Sequence, residues 1–164
     1  MTILVIDSLF YTKQQRTKEH EGYMEKGRQN QPFEPLSKHE EHVGKLIVNA
    51  AYVVHQAIGP GLLESVYEAC FCHELSKAEL SFERQVQVPI TYDGIRFEQG
   101  LRLDVIVDDL VICELKAVNE MIPVYTAQLV SYLKLTQRRL GYLINFNVPQ
   151  DHIRYQTHRS AYAM

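Results

Sequence analysis

The sequence predicts a mixed α/β fold: a mixed β-sheet flanked by helices, in the order α-α-β-β-β-β-α-β. Three observations predict it. Apolar residues recur at three- and four-residue spacing from Leu46 to Ala57, the mark of an amphipathic helix. The period then drops to two in "FERQVQVPITY" (82–92), the mark of a strand. Finally, a helical stretch from Pro123 separates two short apolar runs, 110–116 and 140–146. That is the pattern of a strand–helix–strand crossover, which packs helices on a sheet.

The elements follow in order. Leu46, Ile47, Ala50, Val53, Val54 and Ala57 form the stripe of a first helix that starts near His39. "GPG" at 59–61 stops it, and a second helix runs from Leu62 to about Lys77. In 82–92, Phe82, Arg84, Val86 and Val88 are expected on one face. "DG" at 93–94 is a hairpin turn that returns as "IRFEQ". Further strands cover about 101–107 and 110–116. Pro123 suits a first helical turn, where its missing N–H costs nothing. That helix runs to about Gln137, and "LGYLINF" reads as a buried strand ended by Pro149. Residues 1–38 read as a flexible N-terminal extension, 39–150 as the folded domain and 151–164 as an irregular tail.

At 164 residues and 46% hydrophobic content, the chain suits one packed domain. A net charge of −3 argues against a protein that coats nucleic acid through bulk positive charge. Cys70, Cys72 and Cys113 are too few for a disulfide framework and suit a reducing compartment. Cys70 and His73 share a helix face, but no second ligand pair follows at zinc spacing, so helix packing is the expectation. The apolar start "MTILVIDSLFY" carries Asp7 and is too short to span a bilayer, so a soluble cytoplasmic protein is expected.

"LDVIVDDLVICELKA" (103–117) places Asp104, Glu114 and Lys116 inside the best strands. Glu114 and Lys116 share a face, and Leu103 and Val105 are expected to face together away from Asp104. Two adjacent carboxylates repel, and a divalent cation relieves the conflict. A lysine beside them can steady developing negative charge, an arrangement suited to cleaving phosphodiesters. The plain alternative is a structural ion pair at a strand end. Glu64 lies on a largely apolar row with Tyr67, Phe71 and Leu75, where it either binds metal or marks the first helical turn. Gln128 and Tyr132 share a face of the third helix, as part of a site or as ordinary helix surface.

Together these residues resemble a known pattern. "GLLESVY" (61–67) is similar to the GxxExxY signature through Gly61, Glu64 and Tyr67. With Asp104, "ELK" at 114–116 and "QLVSYL" at 128–133, residues 40–149 resemble the GxxExxY family of the PD-(D/E)XK nuclease superfamily. The resemblance implies a restriction-endonuclease-like core of the RecB and lambda-exonuclease-like branch. It also implies DNA cleavage dependent on Mg²⁺, with Mn²⁺ as a possible substitute. Glu64, Asp104 and Glu114 would be the metal ligands, Lys116 the catalytic lysine, and Gln128 and Tyr132 the supporting helix motif. Leu103 stands where the superfamily name has proline.

Two expectations follow from position. Lys134, Arg138 and Arg139 crowd the end of the third helix, where they either touch DNA phosphates or complement the helix dipole. A two-residue turn at Asp108–Asp109 would set Asp104 opposite Cys113 and turn Glu114 away. A shared site therefore predicts a three-residue connection at Asp108–Leu110, or a bulge, with Ile106 opposite Ile112. The function expected is a metal-dependent deoxyribonuclease. The alternative is a non-catalytic nucleic-acid-binding or regulatory module that keeps the nuclease fold.

Overall fold

A computed structural model describes residues 34–149 and 154–159. The expected N-terminal extension falls outside the described residues up to position 33.

Helix α1 (Lys38–Ile58) begins at a capping box. Ser37 Oγ accepts the Glu40 N–H at 3.1 Å, and the Glu40 carboxylate accepts the Ser37 N–H at 2.7 Å. It ends at Gly59, whose φ of 63° is a conformation that favours glycine. Helix α2 (Glu64–Lys77) follows. Tyr67 ties the two together: its hydroxyl donates to the Gly59 carbonyl at 2.7 Å and accepts the Leu62 N–H at 3.1 Å. Its ring stacks on Phe146 at 4.7 Å. These contacts fix where the first turn of α2, and so Glu64, meets the sheet.

The strands are β1 (Phe82–Tyr92), β2 (Ile95–Val107), β3 (Val111–Lys116), β4 (Leu140–Asn145) and β5 (Arg154–Arg159), with α3 (Pro123–Thr136) between β3 and β4. They lie in chain order in one mixed sheet. β3 and β4 are parallel, and the other neighbours are antiparallel. α3 is the crossover that a parallel pair requires. One core gathers α1 and α2 with Val105, Val107, Val111, Cys113, Leu115, Tyr142 and Ile144. The other gathers Leu129, Tyr132 and Leu133 of α3 with Ile106, Ile112 and Leu143. The sheet is thus covered on both faces, which is why all six residues of β4 are buried.

Three expectations need correction. The order is α-α-β-β-β-α-β-β, because 95–99 and 101–107 form one strand. β2 stays continuous through an irregularity opposite Val88–Ile90. Gly100 permits it, since a Cβ there would sit 1.9 Å from the Val88 carbonyl oxygen. Second, residues 154–159 of the expected irregular tail form β5 and cover the edge of β4. Third, the alternation in β1 and β2 reverses midway. Phe82 and Val105 pack on the α1–α2 side, but Val86, Val88 and Leu103 pack on the α3 side. Gln85, at φ 52° in mid-strand, lies at the reversal.

Candidate active site

The connection between β2 and β3 sets the register. Asp108 and Asp109 have φ of 50° and 55°, and the Leu110 N–H donates to the Val107 carbonyl at 3.0 Å. That is a tight turn of the hairpin kind with Leu110 as an extra residue. Val107 pairs with Val111, Ile106 with Ile112 and Val105 with Cys113. The three-residue connection predicted from parity is therefore present, and Asp104 and Glu114 come next on each strand. Ladder pairing stops there. The Leu115 N–H donates to Asp104 Oδ2 at 2.9 Å, so the aspartate side chain lies against the neighbouring strand.

Glu114 is almost fully buried, at 1% exposure. Its Oε1 accepts from Lys116 Nζ at 2.6 Å, and its Oε2 is buried with no hydrogen-bond partner among the described residues. An orphaned buried carboxylate oxygen is costly in a native fold. Burial, then the charge of Asp104, push the Glu114 pKa up to about 7. Burial likewise raises Asp104, against the Leu115 hydrogen bond and the charge of Lys116. For Lys116, burial works to lower the pKa, but the hydrogen bond and charge of Glu114 more than offset it, so the ammonium is kept.

Glu64 occupies the first turn of α2, where the helix dipole favours an acid. It is exposed, so its position does not carry the burial cost expected for an apolar row. The backbone N–H of Ala117, one residue beyond Lys116, nevertheless favours its charged form. Partial shielding raises its pKa, Lys116 opposes that, and Asp104 adds to it. Glu64, Asp104, Glu114 and Lys116 thus feel one another's charge near the end of β3. Gln128 Nε2 donates to the Tyr132 hydroxyl at 2.6 Å on α3, whose Tyr132 packs in the core beneath the same strands.

Two residues of the site were not expected from sequence. Tyr125 lies one turn before Gln128 and sets its ring 5.4 Å from Lys116 Nζ, a cation–π contact. Its three-residue offset from Gln128 was the available signal. Asn145, 1% exposed, donates to the Val118 carbonyl at 2.7 Å and accepts the Val118 N–H at 3.1 Å. It clamps the segment that carries Lys116 and the Ala117 N–H. No period reveals a clamp between residues so far apart in the chain.

Arg138 and Arg139, read as either DNA contacts or partners of the helix dipole, have hydrogen-bond partners within the fold. Arg138 donates to the backbone and side chain of Asp109 at the β2–β3 turn. Arg139 Nη2 donates to the carbonyls of Glu34 and Pro35, at 3.0 Å and 2.9 Å. The turn lies four residues along β3 from Glu114, about 13 Å. Lys134 occupies the last turn of α3, where a cation suits the dipole. Likewise Cys70 and His73 line a groove between α1 and α2.

A family model described as the PD-(D/E)XK nuclease superfamily matches residues 41–159. The chain belongs to the PD-(D/E)XK nuclease superfamily. The match begins in α1 and ends with β5, so it takes in every strand of the sheet. No curated protein and no solved structure matches the chain. PD-(D/E)XK nucleases typically use divalent metals. The donors around β3 suit such an ion: three carboxylates are hard oxygen ligands, and one buried oxygen lacks a partner. Among the described residues, no three His, Cys, Asp or Glu side chains are gathered at metal-binding spacing. The carboxylates are neighbours, with Glu114 drawn to Lys116 and Asp104 to the Leu115 N–H. No helix among the described residues is long and apolar enough to cross a membrane.

Proposed function

We propose that the chain is a metal-dependent nuclease of the GxxExxY group that hydrolyses DNA phosphodiester bonds. One observation carries the reading: the partnerless, buried Glu114 Oε2 beside Asp104, at the end of the strand that also bears Lys116. Asp104, Glu114 and Glu64 would hold the ion, Mg²⁺ or Mn²⁺, since both accept oxygen ligands. When bound, the cation neutralises phosphate charge and favours attack by water.

The remaining roles belong to side chains. Glu114 holds the Lys116 ammonium at 2.6 Å, and the Tyr125 ring lies 5.4 Å from it. The ammonium faces the negative charge that builds on the phosphate oxygens in the transition state. The Ala117 N–H, whose segment Asn145 clamps, favours the charged form of Glu64. The Gln128–Tyr132 pair braces the α3 side. Cleavage of plasmid and linear DNA with Mg²⁺ or Mn²⁺, run beside Glu114→Ala, tests the proposal. Cleavage that needs metal and vanishes in Glu114→Ala is expected. Unchanged cleavage in that variant would remove the site from the reaction.

The second reading is a non-catalytic module that keeps the nuclease fold. The absence of gathered ligands among the described residues favours it. DNA binding with no cleavage under either metal would select it.

A further inference from the structure

We propose that Arg102 is a contact for the phosphate backbone of bound DNA, beside the reacting phosphodiester, and that Gln85 holds it in place. The inference rests on the nuclease reading above and adds the surface that meets the polyanion.

Glu64, Asp104 and Glu114 form an acidic centre, and a DNA strand approaching it needs a nearby cation. Two cations act on Asp104, namely Lys116 and Arg102. Lys116 is largely buried and is paired with Glu114. Arg84 is paired with Glu68, at 2.7 Å. Arg102 is exposed, lies two residues from Asp104 and has no ion pair among the described residues.

Arg102 is also held in place. Its Nε donates to Gln85 Oε1, and Gln85 Nε2 donates to Glu68 Oε2. Glu68 is buried on α2, one turn beyond Glu64. A hydrogen-bonded chain therefore runs from the helix that bears Glu64 to the Arg102 guanidinium. With Nε engaged, two Nη groups remain to fork onto a phosphate. Gln85 makes both bonds from a left-handed backbone, φ 52°, in mid-strand. Such strain persists where the surroundings impose it, and it concentrates at functional sites. Arg138 and Arg139 differ on this point, because their nitrogens are bound to Asp109, Glu34 and Pro35.

The test measures binding of a labelled DNA duplex by the full chain carrying Lys116→Ala, in Mg²⁺, between about 50 and 200 mM salt. Adding Arg102→Ala should weaken binding roughly tenfold at low salt and reduce the salt slope by about 0.9, the value for one lost phosphate contact. Arg102→Lys should keep the slope. Gln85→Gly, which suits the left-handed backbone, should lower affinity and leave the slope intact, because the charge remains but its tether is gone. An unchanged slope on adding Arg102→Ala, where the wild-type chain cuts DNA, overturns this inference alone. Wild-type affinity in Gln85→Gly overturns the tether. A wild-type chain that neither binds nor cuts DNA overturns the nuclease reading together with it.

Discussion

Each residue at the end of β3 is costly by itself and makes sense with its neighbours. Glu114 is buried, carries an unsatisfied oxygen and titrates at about 7. Its folded pKa stands above the ordinary 4.5, so between those values the folded state binds more protons than the unfolded one. Stability of the metal-free chain should therefore rise as pH falls from about 8 to about 5. Melting temperatures taken in chelator would show it, and Glu114→Gln should flatten the trend. A flat wild-type profile would place the Glu114 proton elsewhere. Lys116→Ala should lower cleavage by at least about 100-fold, the scale of one lost charge stabiliser. Its fold should survive, because the ammonium lies at the edge of the site rather than in the apolar core. Equal turnover of Lys116→Ala and wild type would exclude the ammonium from the chemistry.

At the scale of elements, the hairpins do the positioning. The three-residue turn at Asp108–Leu110 keeps Asp104 and Glu114 in step, and a register slip of one residue would separate them. The irregularity at Val88–Ile90 lets β2 run unbroken to Asp104. It depends on Gly100, where a Cβ would clash with the Val88 carbonyl. Gly100→Ala should therefore cost about 1–3 kcal/mol in chemical denaturation, the range for forced overpacking. An unaltered midpoint would mean that the hairpin gives way at no cost. These features explain the two misread points in the sheet. Glycine at 100 resembled a break between two strands, yet it is the residue that keeps one strand whole. Gln85 carries no composition signal for a left-handed backbone, so the reversal of alternation there was invisible.

At the scale of the molecule, the helices close the sheet and bring Glu64 to it. Metal should stabilise the whole fold, because an ion bound only by the folded state shifts unfolding by mass action. Millimolar Mg²⁺ or Mn²⁺ should raise the melting temperature, and Asp104→Asn should blunt the rise. No shift with either metal would favour the non-catalytic module. β5 contributes in a different way, by covering β4, whose six residues are all buried. Ending the chain at Pro149 should expose that edge and produce aggregation in light scattering. A soluble, monomeric truncation would show that β4 needs no cover.

The chain's local patterns by themselves determined the three helices and the hairpin turn at 93–94, its ordered motifs pointed to the PD-(D/E)XK superfamily, and the register at Asp104 and Glu114 was legible only on the premise of a shared site. Periodicity and turn chemistry act over a few residues, so they can be read in a linear string. Tertiary structure alone decided the rest. β5 reads as polar because it stays largely exposed and is held by backbone pairing with β4 rather than by burying its own side chains. The partners of Arg138 and Arg139, Asp109 and residues 34–35, are brought to them by the fold from distant positions. Asn145 reaches Val118 across 27 positions, and Gln85 joins Arg102 to Glu68. Such long-range hydrogen bonds leave no period in the sequence, because their partners are chosen by the packed sheet and not by spacing along the chain.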